Sequence, residues 1–155
     1  MTVEDVRALP LLARLSPGVR DQLLRLSHEV TYQAGERLFL ADQPARGCWI
    51  ISSGHVALDL PVPGRGDVVV QTLGPGDMLG WSWLIPPCRW QFGARAVGEV
   101  AAVRLDTHRL KVMAERDPEF GYELVLTLFE AVTHRLQATR ARLLNLYDNP
   151  AGTRA

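Results

Sequence analysis

Apolar residues come in short runs in the middle of the chain and at helical spacing on either side of it. Residues 28–105 hold runs rich in Val, Ile, Leu and aromatic residues, separated by glycine and proline. Short strands at such even spacing are typical of a sandwich or a jelly roll. We therefore predict a mostly β fold with flanking helices, built as a jelly-roll β-barrel (a double-stranded β-helix) of about eight strands. The clearest strands are His28–Tyr32, Arg37–Leu40, Cys48–Ser52, His55–Leu60, Val68–Leu73, Gln91–Val97 and Val100–Leu105.

Alternation is clearest in the fourth of these runs. Val56, Leu58 and Leu60 are separated by one residue each, so they are expected to share one face of a strand. The glycine-bearing segments Gly64–Gly66 and Gly74–Gly76 predict tight turns between strands.

The N-terminal flank, residues 1–27, predicts helices. A short turn is expected over residues 3–9, before Pro10. Ser16 followed by Pro17 has the composition of an N-cap and a first helical residue. The apolar residues that follow recur at helical spacing, so a second helix is expected to start there.

The C-terminal flank, residues 106–147, predicts two helices and a tail. Asp106 can cap a short helix, and Asp117 followed by Pro118 marks the start of a longer one. No proline interrupts the chain from there to Tyr147, which makes a helix of about 30 residues, or roughly 45 Å. Residues 148–155 are expected to form a short tail.

The long helix carries a heptad pattern that predicts a homodimer. Its apolar positions are spaced alternately by four and three residues, as in the seam of a coiled coil. A helix of this length outreaches a small roll, so part of the seam is expected to meet a second copy rather than fold back on its own domain. The predicted dimer interface is Val125, Phe129, Val132, Leu136, Thr139, Leu143 and Leu146.

Other faces of the same helix have different predicted roles. Thr139 is the polar member of the seam, and it either sets the register or reaches a ligand. A second apolar set is expected to face the barrel, and a basic set near the end is expected to be a solvated face. The apolar set is Leu124, Leu128, Leu144 and Tyr147, and the basic set is Arg135, Arg140 and Arg142.

Composition and charge narrow the class of protein. The chain has 155 residues, enough for one domain, and apolar types make up 47% of it. Lys and Arg number 17, as do Asp and Glu, so bulk charge does not predict binding to nucleic acid or to a membrane. The first residues have no basic segment, no stretch is long enough to span a bilayer, and two cysteines are too few for a disulfide framework. We expect a cytoplasmic protein with free thiols.

Several motifs resemble the cyclic nucleotide-binding domain family, as in the Crp–Fnr regulators. Gly76–Asp77 and Gly80 fall where that family places the turn into its phosphate-binding cassette, and the last helix resembles the family's dimer helix. The resemblance implies a regulatory sensor domain rather than an enzyme, with cyclic AMP or another cyclic nucleotide as a candidate ligand. The matching motifs upstream are Ala34–Gly35–Glu36, Leu38–Phe39, Pro44–Ala45, Trp49–Ile50–Ile51 and Ser53–Gly54.

The cassette departs from the family pattern at the positions that hold the ligand. The family has a carboxylate for the ribose directly after the glycine, whereas Trp81 follows Gly80 here. The segment from Gly80 to Leu84 can still form a short helix whose N–H groups and Ser82 hydroxyl bind an anion. Arg89 is the candidate phosphate ligand, although counting back from Arg95 places Trp90 nearest the family's arginine.

Three tryptophans, Trp81, Trp83 and Trp90, lie within ten positions, with Phe92 beside them. They predict either an aromatic pocket for a planar ligand or a barrel mouth filled by its own side chains. The predicted ligand-binding residues are Gly80, Trp81, Ser82, Trp83, Leu84, Arg89, Trp90 and Thr139.

Other chemistries have less support in the sequence. The four histidines lie far apart with no metal-ligand spacing, and no hydrolase, kinase or P-loop motif is present. Only eight residues follow Tyr147, which leaves no room for a recognition helix, so direct DNA binding is not expected. The sequence thus predicts a homodimeric regulatory domain that binds a nucleotide-like or planar ligand and signals through an effector protein. The alternatives are a ligand-free adaptor with a tryptophan-filled pocket and a conventional cyclic AMP binder.

Overall fold

The structure is a computed structural model, and it describes residues 10–148. Helices precede and follow a β-roll, as the hydrophobic pattern predicts, and the mostly β fold class is confirmed. The elements are α1 (Pro10–Ala13), α2 (Pro17–Arg25), β1 (Ser27–Tyr32), β2 (Arg37–Phe39), β3 (Cys48–Ser53), β4 (Val56–Val62), β5 (Gly66–Leu73), β6 (Met78–Leu79), β7 (Gly93–Ala96), β8 (Val100–Leu105), α3 (Thr107–Arg116) and α4 (Pro118–Asp148). The turn predicted over residues 3–9 and most of the tail lie outside the described residues.

The strands form two four-stranded sheets, in the orders β1-β8-β3-β6 and β2-β7-β4-β5. Neighbouring strands are antiparallel throughout. The roll is therefore an open pair of sheets rather than a closed barrel. The two-residue strand β6 did not stand out in the hydrophobic pattern, because a pair of residues shows no period.

One hydrophobic core joins both sheets to the helices. The inward face of α4 contributes Phe120, Leu124, Leu128 and Ala131, all of which are buried. Burial of large apolar side chains stabilises by about 1.5–3 kcal/mol each, so this face holds the first half of α4 against the roll.

The helix starts follow the predicted capping residues, with one correction. Asp106 caps α3 by accepting a hydrogen bond from the Arg109 N–H (3.1 Å). Ser16 precedes α2 but makes no side-chain cap. Its hydroxyl instead donates to Glu123 of α4 (2.8 Å), because the packing of α2 beside α4 provides a charged acceptor.

The alternation predicted in β4 is only partly visible in its burial. Val56 and Leu58 are buried and Leu60 is half-buried, but Ala57 and Asp59, each 2% exposed, are buried as well. Arg37 donates to Asp59 (2.7 Å) and to Asp67 (3.0 Å), so the buried carboxylate is paired. The pairing of β4 with β5 contains a bulge opposite Leu58 and Asp59, where Val70 of β5 is the extra residue.

The outward face of α4 is apolar and exposed. We call it the outer stripe: Val125, Phe129, Val132, Leu136, Leu143 and Leu146, each at least 37% exposed. The described part of the chain therefore does not fold back over the predicted dimer seam. The assignment of Leu144 and Tyr147 to a barrel-facing set was wrong, because both are exposed. The last turns of α4 pack against nothing that would bury them.

Two arginines expected on a solvated face instead contact the roll. Arg135 donates to the carbonyl oxygen of Met78 (2.6 Å) and Arg142 donates to that of Val70 (2.6 Å). Both contacts lie along the edge formed by β5 and β6. Long arginine side chains reach strand-edge carbonyls that a short side chain at the same position would leave to water.

Candidate functional site

The turn at Gly80 is shaped by close contacts. Gly80 has φ +93°, and a Cβ there would lie 2.7 Å from the carbonyl oxygen of Gly47 and 2.9 Å from the Trp90 ring. Only glycine fits this combination of a left-handed backbone and a crowded neighbourhood. The positive φ and the close neighbours therefore explain why the motif that resembles the family's cassette has glycine at this position.

The short helix predicted over Gly80–Leu84 does not form, and the segment is a series of turns. The Leu84 N–H bonds to the Trp81 carbonyl oxygen (3.1 Å), which is a turn rather than a helical bond. Pro86 and Pro87 follow and cannot donate, so no second helical bond can extend it. Trp83 donates its indole N–H to the Gly80 carbonyl oxygen (2.9 Å) and is buried.

Trp90 lies in an aromatic cluster inside the roll. Its ring stacks on Phe39 with centroids 3.8 Å apart, and it lies 6.0 Å from the ring of Trp49. We call Phe39, Trp49 and Trp90 the aromatic cluster, and all three are at most 6% exposed. Trp49 also donates its indole N–H to the Tyr32 hydroxyl (2.9 Å), so its polar atom is satisfied.

The aromatic cluster extends to the glycine turn. The Trp90 ring lies where a side chain on Gly80 would be, so it contacts the turn that resembles a phosphate cradle. Counting along the sequence placed Trp90 nearest the family's phosphate-binding arginine, and the chain has a buried indole at this position.

Arg89, the predicted phosphate ligand, lies on the outside. Its side chain is exposed and donates to the carbonyl oxygen of Asp42. The neighbouring backbone pairs with the segment before β3, where Trp90 N–H donates to the Gln43 carbonyl oxygen (2.9 Å). In such extended backbone, successive side chains point to opposite faces, which directs Trp90 inward and Arg89 outward.

Trp81 meets the long helix. The Arg135 guanidinium lies over its ring, 4.4 Å from the centroid. Burial lowers the pKa of Arg135 to about 10, and the nearby Asp77 opposes that shift. One guanidinium nitrogen of Arg135 is buried without a hydrogen-bond partner. A cation over an indole face is worth about 0.5–1 kcal/mol, more when water is excluded.

The remaining predicted ligand residues do not converge on one point. Ser82 and Leu84 are half-buried in the turn segment. Thr139 is exposed, and its hydroxyl donates to the Arg135 carbonyl oxygen one helical turn earlier (2.9 Å). The structure therefore brings together Gly80, Trp83 and Trp90, whereas Arg89 and Thr139 lie apart from them.

An open groove of about 500 Å³ lies between α4 and the β5–β6 edge. We call it the α4 groove. Its polar lining includes Gln71, Asp77, His134 and Arg135. The groove is mixed in charge and is large enough for a small ligand.

Sequence reasoning missed Arg135 as a site residue. The signal was present, because Leu124, Leu128 and Ala131 form an inward stripe at helical spacing, and Arg135 continues it. Phe39 and Trp49 were also missed as partners of Trp90, and no local pattern joins three rings from separate segments.

Other chemistry has no cluster to support it in residues 10–148. No group of three or more His, Cys, Asp or Glu side chains lies close enough to hold a metal ion there. No helix in the same range combines the length and the hydropathy that a membrane span needs. Cys48 and Cys88 are free thiols, and burial raises the pKa of Cys48 to about 12.

The described residues thus combine an open two-sheet roll, a glycine turn at Gly80 and a long helix across the sheet edge. The sequence family described as the cyclic nucleotide-binding domain matches residues 29–117. The chain therefore belongs to the cyclic nucleotide-binding domain family. The predicted resemblance to this family is confirmed.

Similar proteins agree with this assignment. A CRP-like cAMP-activated global transcriptional regulator of Mycobacterium tuberculosis is 26% identical over 132 residues, which are 85% of this chain and 57% of the regulator. This chain thus spans little more than half the length of the curated relatives it matches. A cyclic nucleotide-binding domain from Methylobacillus flagellatus KT has the same fold, with a TM-score of 0.77 at 18% identity, covering 92% of this chain and 80% of that one.

A second similar structure was solved with a ligand. The regulatory domain of Toxoplasma gondii PKA, crystallised with cAMP, has a TM-score of 0.62 at 18% identity, covering 71% of this chain and 42% of that one. The likeness to these two solved structures concerns the fold. The family and its relatives are regulators, which favours a regulatory role over an enzymatic one.

Proposed function

We propose that this chain is a homodimeric regulatory module whose phosphate site is closed by Trp90, and that it regulates a partner protein without binding cyclic nucleotide in the family's pose. The observation that carries the proposal is the position of the Trp90 ring, stacked on Phe39 and in contact with Gly80. A cyclic phosphate needs a cation and several N–H donors in this place, whereas an indole is uncharged and has a single N–H.

The outward direction of Arg89 supports the same conclusion. Moving its guanidinium to the Gly80 turn would exchange the places of Arg89 and Trp90, which would expose a buried indole and bury a charge. Each of these changes costs several kcal/mol. The ribose carboxylate of the family is replaced by Trp81, which the Arg135 guanidinium covers.

The outer stripe supports the homodimer. Phe129 is 68% exposed and Leu136 is 48% exposed, in a heptad pattern that runs most of the length of α4. A second copy covers such a stripe by presenting the same stripe in return. A partner protein then binds the paired helices.

A second function is favoured by the α4 groove. Trp81 and Arg135 lie beside it, and a planar nucleotide-like ligand could stack on Trp81 after the guanidinium moves aside. Such a ligand would couple to the dimer directly, because Arg135 is on the same helix as the outer stripe. The module would then be a sensor, with a ligand bound outside the filled roll.

Calorimetric and fluorescence titrations with cyclic AMP and cyclic GMP test the main proposal. The wild-type protein is expected to show no saturable heat, no change of tryptophan emission and no shift of melting temperature at millimolar nucleotide. A ligand at 100 times its Kd stabilises the folded state by about 2.7 kcal/mol, so binding would raise the melting temperature measurably. Saturable binding of either nucleotide by the wild type contradicts the closed site.

A gain-of-function variant sharpens this test. Trp81→Glu combined with Trp90→Arg restores the carboxylate and the cation of the family pattern, and it is expected to bind cyclic AMP more tightly than the wild type. Trp81→Glu combined with Trp90→Phe is the matched control, because it restores the carboxylate and keeps an apolar ring. Circular dichroism establishes that both variants are folded. Equal affinity of the two variants for cyclic AMP contradicts the role given to Trp90.

A further inference from the structure

A second groove, of about 640 Å³, lies where α2, β1, β8 and α3 meet. We call it the basic groove, because cations dominate its lining. Its charged and titratable residues are Arg25, His28, Arg46, Arg104, Asp106, His108, Arg109 and Lys111. Five of these carry a permanent positive charge and one is a carboxylate, in a chain whose Lys and Arg number equals its Asp and Glu number.

The carboxylate in the basic groove contacts one of the five cations, which leaves the other four. Asp106 accepts the Arg109 N–H (3.1 Å) as the cap of α3, and its second oxygen lies 3.7 Å from the Arg109 side chain. Among residues 10–148, no carboxylate lies within ion-pair distance of Arg46 or Lys111. The positive charge of the groove is therefore left largely unneutralised, and it attracts anions.

Arg104 gives the basic groove a fixed cation. Its guanidinium lies over the Trp49 ring, 5.2 Å from the centroid, and donates to the Arg46 carbonyl oxygen (3.0 Å). Arg104 is also opposite His28 in the β1–β8 pairing. A guanidinium held in this way is pre-organised for an oxyanion, because little rotamer freedom remains to be lost.

We propose that the basic groove binds a small anion that carries two or more phosphate groups, such as a nucleoside polyphosphate. The excess of cations favours an anion with several negative charges. Arginine guanidinium groups form paired hydrogen bonds with phosphate oxygens. Its volume lies within the range of small-molecule sites, about 300–1,000 Å³, and its concave shape suits a compact ligand.

This site is separate from the closed phosphate site. Gly80, Trp81 and Trp90 are not among the lining residues, whereas Trp83 and Cys88 are. A bound polyphosphate would therefore contact the outer side of the same turn segment. The proposal stands whether or not the Gly80 turn binds cyclic nucleotide.

Titration calorimetry with inorganic tripolyphosphate tests the proposal on the full chain. The groove variant is Arg46→Gln with Lys111→Gln, and the matched control is Arg65→Gln with Arg140→Gln, which removes the same charge at exposed positions outside the groove. Wild type and control are expected to bind saturably, and the groove variant is expected to bind about tenfold more weakly or worse. All three are compared at one salt concentration, because exposed charges are screened.

Three outcomes would overturn the proposal. One is the absence of saturable heat with tripolyphosphate in the folded wild type. Another is an equal loss of affinity in the groove variant and the control, which would show diffuse attraction to net charge. The third is tighter binding of an acidic peptide of equal charge than of tripolyphosphate, which would assign the groove to a protein partner. Melting temperatures within a few degrees of wild type establish that both variants are folded.

Discussion

The aromatic cluster and the outer stripe have the same apolar chemistry and opposite exposure. Trp90 in the cluster is 5% exposed, whereas Phe129 in the stripe is 68% exposed. The cluster is filled from within the chain, because Phe39, Trp49 and Trp90 stack on one another. Nothing in residues 10–148 covers the stripe. The difference separates a surface that the chain covers by itself from one that it leaves exposed, which is the surface on which the proposed dimer depends.

The same contrast bears on function. A ligand pocket in a sensor domain has to be empty enough to admit its ligand, and the aromatic cluster fills the place beneath Gly80. A dimer interface has to be exposed in the single chain, and the outer stripe is. In residues 10–148, the aromatic cluster is buried in the roll, whereas the outer stripe of α4 is exposed.

The largest expected effect comes from emptying the cluster. Trp90→Ala removes a buried ring that two neighbours contact, so the free energy of unfolding is expected to fall by about 3–5 kcal/mol. Denaturant unfolding at fixed protein concentration measures it. The matched control is Ile85→Ala, at a side chain that is 68% exposed, with an expected change within about 0.5 kcal/mol. Similar losses for the two variants would show that the cluster is not a packed core.

The reactivity of the two thiols, Cys48 and Cys88, tests how well the interior of the roll excludes water. Burial raises the pKa of Cys48 to about 12, while Cys88 is half-buried in the turn segment. Three pKa units make the thiolate of Cys48 about a thousandfold scarcer than that of an ordinary cysteine near neutral pH. A thiol reagent at pH 8 is expected to label Cys88 in the folded protein and Cys48 only after unfolding. Equal labelling rates would contradict a dry interior at Cys48.

The raised pKa of Cys48 also makes the free energy of unfolding depend on pH. The folded state keeps the thiol proton where the unfolded chain releases it, so this group's contribution to stability is complete below about pH 9 and is lost as pH rises toward 12. Cys48→Ala is expected to remove this part of the decline, as measured by unfolding free energies between pH 8 and 11. An unchanged decline would assign it to other groups.

Charge placed in the outer stripe is expected to separate the dimer. Phe129→Glu brings two carboxylates together across a symmetric seam, at a cost of about 2 kcal/mol or more in association. Sedimentation should then give the 17.2 kDa monomer, while circular dichroism stays unchanged. Gln137→Glu is the control, because it adds the same charge to α4 beside the stripe. An intact dimer in Phe129→Glu means that the seam lies elsewhere.

The smallest expected effect is at the contact between the roll and α4. A double-mutant cycle with Trp81→Leu and Arg135→Gln is expected to give a coupling energy of about 0.5–1 kcal/mol, the size of a cation over an indole. Unfolding free energies of the four proteins measure it. A coupling near zero would mean that Arg135 lies over Trp81 without holding it.

Much of the fold was predictable because its signals are local. Strand spacing, the Asp106 cap and the proline after Asp117 depend on residues within a few positions of one another. Strand β6 was missed because it has two residues, and the bulge at Val70 of β5 was missed because the hydrophobic pattern of that strand does not mark it. A bulge depends on how a strand pairs with its neighbour, and the sequence of one strand does not show that pairing.

The candidate site was less predictable for the same reason. The sequence analysis left open whether Arg89 or Trp90 faces the turn, and whether the tryptophans line a pocket or fill it. The pairing of this segment with residues before β3 decides the first question, since it fixes which side chain points inward. Phe39 and Trp49 favour filling, because they provide the rings on which Trp90 stacks.

By itself, the sequence determined the family, the order of helices and strands, and the heptad stripe of α4. These follow from short-range periodicity and from glycines that no other residue can replace. Only the tertiary structure decided that the Trp90 ring contacts the Gly80 turn, that Arg135 lies over Trp81, and that five cations from separate elements line one groove. The physical reason is that these contacts join residues far apart along the chain, and only the packing of sheets against helices brings them together.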